Sequence, residues 1–445
     1  MRTNVRIPAE ARRQRPRKRL RAWLLALITT ALVAFWAPAS ASAGSTPVPC
    51  DTGALIAALD DANVSGGGTL DLASGCLYTL TEPDNSTPSG ANGLPVISAP
   101  ITIHGNGAAI VRRPSAESFR IFEIRFGASL ILDDLTLGYG SAGNGGAINN
   151  HTGASLTLVR TLVSNNVASL YGGGVYSAGS VVFSETRLSG NTAFTGGGLY
   201  AKGSATLSLT TLSKNHASVF GGGLFVAGGS TASVLQTTLS ENSAGSHGGG
   251  VFVSGTATIT QSTLTGNTAV TGGGLTNNGV TRVALSTLAG NTATGVGGGI
   301  ATFGPDLRTT VAQSTISGNE AVSGGGIYVS LTLMAVQTIV ANNPQGGNCY
   351  GFAGQVTDGG YNLDSSTDCG FTEQSSLSNT DPLLAPLGPN GGPTDTMALD
   401  PNSPAIDAGP TVCPVTVDGQ KVHVDQRGAP RPQGPACDIG SYEAA

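Results

Sequence analysis

Groups able to do chemistry are scarce in the middle of this chain and crowd near one end. Between Gly143 and Gln345 the acids are Glu185, Glu241, Asp306 and Glu320. The three glutamates fall six before, one before and one after a recurring Asn, so they neither stack nor pair. Glycoside hydrolysis needs two carboxylates facing one bond, and no such pair is legible here. Charge is densest at Arg112, Arg113, Glu117, Arg120, Glu123, Arg125, Asp133 and Asp134, and a catalytic cluster would have to lie there. Asp133 and Asp134 are adjacent, so on a strand they face opposite ways unless a turn intervenes. His104, His151, His216, His247 and His423 are scattered without metal-ligand spacing. The glycine runs lack the following Lys-Ser/Thr and helix of a phosphate loop. These residues point to no metal and no cofactor.

The elements that would position them are written as a repeat. Glycine triplets followed by an aliphatic residue begin at Gly172, Gly196, Gly221, Gly248, Gly272, Gly297 and Gly324. A second word, aliphatic-x-x-Asn, precedes each and ends at Asn165, Asn191, Asn215, Asn242, Asn267, Asn291, Asn319 and Asn342. A period in the twenties marks a solenoid whose units cannot bury a core alone. Short alternating runs such as Thr256-Ala257-Thr258-Ile259-Thr260 read as strands. The expected fold is therefore all-β, a right-handed parallel β-helix with about three short strands per coil and coils ~4.8 Å apart. The aliphatics after the triplets and before the Asn should form internal stacks. The asparagines should form a structural ladder at a turn, because Asn tolerates left-handed backbone and its amide can bond the next amide along.

Strand alternation turns the residues after those aliphatics outward. They are Tyr176, Tyr200, Phe225 and Phe252, then Thr276, Ala301 and Tyr328. The four consecutive rings are the candidate ligand-binding stripe, with polysaccharide or cell-wall glycan as the expected partner.

The words resemble the repeats of the polymorphic outer membrane protein family, most closely at Gly145-Gly146-Ala147-Ile148. They depart from it in carrying Gly for Ala in the triplet and Leu or Ile for Phe before the Asn. The resemblance covers about 200 residues and implies a pectin-lyase-like β-helix at the cell surface. That fold hosts lyases, hydrolases, adhesins and tail spikes, so function does not follow from it. Lyases similar to it use Asp-bound calcium with an Arg or Lys base, and the charge-poor coils argue against that chemistry. The expected function is a bacterial adhesin, envelope component or glycan-binding scaffold. The alternative is a polysaccharide lyase or hydrolase working at the first coils.

Residues 1–43 read as an export signal: a basic start, an apolar run from Ala22 to Trp36, and Ala39-Ser40-Ala41-Ser42-Ala43. They hold nine Lys/Arg and one acid. Without them thirteen basic and twenty-six acidic residues remain, a charge of −13. A nucleic-acid partner is thereby disfavoured, and no later segment could span a membrane. Residues 44–94 should cap the first coil, with a helix over Asp51–Asn63. Coils should occupy 95–346, followed by a loose excursion over 347–378 and a terminal module over 379–445. Asp381-Pro382-Leu383-Leu384, Asp425-Gln426-Arg427-Gly428 and Cys437-Asp438-Ile439-Gly440 make that module resemble the choice-of-anchor domains of secreted β-helix proteins. This resemblance implies surface association. Within it, Asp425 and Arg427 are expected to clamp a turn. Six cysteines allow fifteen pairings; the local pairs Cys50–Cys76, Cys349–Cys369 and Cys413–Cys437 are expected, since each couple shares one segment.

Overall fold

The computed structural model describes residues 44–303, 309–351, 355–413, 415–417 and 420–445. The export segment read over 1–43, and Asp306, lie outside the described residues. The described residues form an all-β parallel β-helix with, among them, one short helix, α1 (Thr52–Val64). Each regular coil carries four strands rather than three, as in Val175–Ser177, Ser180–Ser184, Arg187–Ser189 and Thr192–Thr195. Stacked coil on coil, these build a ten-stranded sheet, a seven-stranded sheet and a double-width sheet holding two strands of each regular coil, which the first coils cross as the single long strands Pro100–Arg112 and Ser129–Gly138. Register is kept along the rod: Val175 pairs with Leu199, then Leu224, Val251, Leu275, Ile300 and Ile327 in turn. All seven are buried. The expected inward stack is therefore the spine of the core.

The triplets turn the chain from the seven-stranded sheet into the ten-stranded one, and each glycine has its own reason. Gly196 has φ +68°, a conformation costly for residues bearing a Cβ. A Cβ at Gly197 would lie 2.5 Å from carbonyl oxygens of both Gly222 and His216. One at Gly198 would press on the Asn215 amide.

That amide belongs to a buried ladder. Asn191 Nδ2 donates to Asn215 Oδ1, Asn215 to Asn242, Asn242 to Asn267, Asn267 to Asn291 and Asn291 to Asn319, all at 2.9–3.0 Å. The ends differ from expectation. Asn166, not Asn165, heads the run, with Asn166 Nδ2 donating to Asn191 Oδ1 at 3.0 Å. Asn343, not Asn342, continues it, passing to Asn348 and finally to the Asp364 carboxylate. Asn165 and Asn342 instead take the left-handed corner just before the ladder, at φ 55° each, where Lys214 and Glu241 also sit. Left-handed backbone thus belongs to the residue before each ladder Asn. The aliphatic stack shifts likewise: Val163 and Val340 are its members, in register with Leu188 and Ile316.

Both ends of the rod begin or continue beyond the expected boundaries. Thr46–Val48 and Gly68–Leu72 already pair in parallel, and Gly68–Leu72 pairs with Pro100–Arg112, so coil structure starts inside the segment read as a cap. Helix α1 covers this end with Leu55, Leu59 and Ala62 buried, and Asp51 caps it by accepting from the Ala54 amide at 2.8 Å. Residues 347–378 are not an excursion. Cys349–Tyr350, Val356–Asp358 and Leu363–Asp364 each add a strand to the three preceding ones.

The terminal module lies along the flank of the last coils rather than only at the tip. Gln426 is its main peg: Thr287 Oγ1 donates to Gln426 Oε1 at 2.6 Å, and Gln426 Nε2 donates to Thr263 Oγ1 at 2.9 Å. Gln313 Nε2 reaches Cys413 O at 2.8 Å, and the Gly440 amide reaches Gln337 O at 3.0 Å. Ile339, Leu363, Leu399, Ala405 and Ile439 form one apolar cluster across this junction. Within the module Arg427 Nε bonds Asp425 Oδ2 at 2.7 Å, the expected turn clamp, and Tyr442 stacks under the guanidinium.

The cysteines form the three local pairs, with Cα–Cα distances of 5.6, 4.8 and 6.3 Å. Alkylating the folded, unreduced protein should therefore label no thiol. A stoichiometric mass increment at any cysteine would refute the pairing.

Candidate functional site

Two places gather the side chains singled out by sequence. On the ten-stranded sheet, Tyr176, Tyr200, Phe225 and Phe252 are in register on successive coils, with centroids 5.4, 4.7 and 5.2 Å apart. Their planes are within 23°, 14° and 3° of parallel. The rings therefore stack along the rod, and their faces are turned to one another. A row of open flat faces is not what the register produces. What the inner rings offer outward is edges and, on the tyrosines, hydroxyls. Exposure is also uneven: Phe252 is only 8 % exposed, and Thr276 and Ala301 farther along are fully buried.

Sequence reading missed a second row on the neighbouring sheet. Tyr171 lies 4.7 Å from the Tyr200 ring, Phe220 lies 5.0 Å from Phe252, and His247 meets Phe303 edge-on at 6.1 Å. These residues immediately precede the glycine turns or follow the short strands. Their one legible signal was the aromatic residue directly before Gly172 and Gly221. Burial, reinforced by Tyr171 and Tyr176, pushes the Tyr200 hydroxyl up to about 12, so it stays a neutral donor at ordinary pH. Burial pushes His247 down, favouring the uncharged ring. The result is an aromatic seam with hydroxyls and no formal charge.

The second place is the first-coil charge cluster, which the fold divides. Arg112 is spent on backbone carbonyls, donating to Tyr139 O and Ala116 O at 2.7 Å each. Asp134 takes a left-handed turn (φ 54°), so both aspartates escape burial. Asp133 pairs with Arg160 at 2.5 Å and lies 3.7 Å from His104. Arg120, Glu123 and His151, by contrast, converge. Arg120 is fully buried and Glu123 is 3 % exposed. Arg120 Nη1 donates to Glu123 Oε2 at 3.1 Å and to Asn92 Oδ1 at 2.6 Å. Thr87 Oγ1 donates to the same carboxylate at 2.8 Å. His151, one of the histidines scattered without metal-ligand spacing, joins them here, its Nε2 2.9 Å from Glu123 Oε1. The coil period explains the meeting: Glu123 pairs with Asn149, two residues from His151.

Ser89 Oγ is 3.5 Å from the same His151 nitrogen. A hydroxyl-imidazole-carboxylate relay needs the hydroxyl and the acid on opposite ring nitrogens, so this trio is not one. The direct partners of Glu123 are thus Arg120, Thr87 and His151. Among the described residues no group of three His, Cys, Asp or Glu could hold a metal ion, and no helix is long and apolar enough to cross a membrane. No protein-family model, curated protein or solved structure matches this chain.

Proposed function

We propose that this chain is an exported binding rod without catalytic activity, an adhesin or envelope scaffold that engages polysaccharide or cell-wall glycan. The observation that carries this reading is the aromatic seam. A stiff rod presents half-buried ring edges and tyrosine hydroxyls along one face, with Tyr171 exposed beside them, and apolar rows reaching the surface mark binding sites. A sugar would bond the hydroxyls and pack its C–H groups on the edges and on the outer face of Tyr171. The basic and apolar start of the chain, together with three disulfides, supports an oxidising destination outside the cytoplasm.

Pull-down on insoluble polysaccharide and on whole cell wall tests the reading. The triple variant Tyr176→Ser, Tyr200→Ser, Phe225→Ser should bind about tenfold or more weakly. It also removes ring stacking worth about 0.5–1.5 kcal/mol per pair, so its melt must be recorded alongside. The double variant Tyr176→Phe, Tyr200→Phe keeps the stack and removes only hydroxyls, and should lose about three- to tenfold in affinity. Unchanged binding in both folded variants would remove the seam from consideration. Release of new reducing or unsaturated ends from a polysaccharide, abolished by Glu123→Gln, would replace this reading with an enzymatic one.

A further inference from the structure

Phe126 is 81 % exposed, the most open Phe or Tyr ring at the surface among the described residues. It sits at a turn closed by the Ala128 amide donating to Arg125 O at 3.1 Å, with Gly127 at φ +80°. The next coil repeats the turn, with the Ala154 amide donating to His151 O at 3.0 Å and Gly153 at φ +74°. A Cβ on Gly153 would overlap the edge of the Phe126 ring at Cδ2 and Cε2. Glycine there lets the ring lean against the turn while its faces stay open. This is the property that the stacked rings of the seam lack.

Beside the ring opens a cleft of about 590 Å³ lined by Thr87, Ser89, Glu123, Arg125, His151 and Thr152 among others. Its far wall is the hairpin of Asn85–Thr87 and Gly90–Asn92. That hairpin is anchored from below, because Arg120 donates to Ser89 O and Thr87 donates to Glu123. The cleft is thus walled by held backbone and rimmed with hydroxyls, an imidazole and a guanidinium. The buried Asn149 stands beside the imidazole, with its Nδ2 3.3 Å from His151 Nε2.

We propose that Phe126 and this cleft form a binding site for one neutral hexopyranose, separate from the seam. A pyranose has an apolar C–H face and a hydroxyl rim. The open ring face matches the first, and Ser89, Thr87, Thr152 and His151 match the second. The volume lies within the range of small-ligand sites. Neutral sugar is favoured because Glu123 is already compensated by Arg120. Arg125 is solvent-exposed, where its attraction is screened, and the chain without residues 1–43 carries −13.

Saturation-transfer NMR on the full mature protein with glucose, galactose, mannose and N-acetylglucosamine tests this. At least one should bind saturably, with Kd of about 1 mM and transfer concentrated on one face of the sugar. Phe126→Ala should weaken binding at least about fivefold with an unchanged melt, since the ring is exposed. Phe126→Trp should preserve binding. His151→Ala should change which sugar is preferred. The seam triple variant should still bind these monosaccharides, so failure here and failure of the seam are read separately. No saturable binding to any of the four, or equal binding by Phe126→Ala, overturns the site. Tighter binding of galacturonate than of galactose overturns its neutral specificity.

Discussion

Arg120→Ala should destabilise the protein by about 3–5 kcal/mol, the range for breaking a buried ion pair by removing one partner. The guanidinium is completely enclosed and holds four acceptors: Asn92 Oδ1, Glu123 Oε2, Ser89 O and Asn144 O. Deleting it strands a carboxylate that is 3 % exposed with Thr87 and His151 as its remaining partners. The hairpin carrying Ser89 also loses its tether. Urea unfolding should show a lower midpoint with unchanged slope. Adding Glu123→Gln to Arg120→Ala should recover part of the loss, because the stranded charge is gone. Additive losses in the double variant, or a loss under about 1 kcal/mol for Arg120→Ala alone, would show that the pair is not the internal brace described.

Asn242→Ala should cost about 2–4 kcal/mol, from several buried groups left unsatisfied at 1–3 kcal/mol each before relaxation. Asn242 Oδ1 accepts from both the backbone amide and Nδ2 of Asn215, and its Nδ2 donates to Leu212 O at 2.9 Å and to Asn267 Oδ1 at 3.0 Å. The defect sits in mid-rod, where each coil is stabilised by its two neighbours. Amide exchange at Asn215 should therefore quicken more than exchange far along the rod. Asn242→Asp is a sharper probe, because a carboxylate accepts as well as an amide but cannot donate. Its folded-state pKa should be raised by burial above the usual ~3.9. The penalty is then present at neutral pH and shrinks as pH falls through that raised value. A neutral Asn242→Ala variant, or an Asn242→Asp variant unaffected by acid, would refute the ladder's energetic role.

Much of the architecture is legible in one dimension because a solenoid converts period into contact. Residues one coil apart must touch, so the triplets, the inward aliphatics and the mid-rod asparagines could be paired by counting. Cysteine pairing was readable because each couple shares a segment. Where counting misplaced the ladder, two asparagines stood side by side, at Asn165-Asn166 and Asn342-Asn343. The interval from ladder Asn to following triplet is five or six residues elsewhere, which selects Asn166 over Asn165.

Other features needed the third dimension. Which way a ring faces depends on the register that stacks Tyr200 between Tyr176 and Phe225, and alternation alone says only that it points outward. Register one coil apart brings Glu123 beside Asn149 and so near His151, but the hairpin of the preceding coil that Arg120 and Glu123 tether carries no repeat word to count. The flank on which Gln426 docks was equally hidden, since Thr263, Thr287 and Thr315 look like any solvated column until the module covers them. Sequence by itself determined the repeat, its inside and its outside. Tertiary packing decided which outward groups remain open to a ligand, because that depends on neighbours contributed from distant parts of the chain.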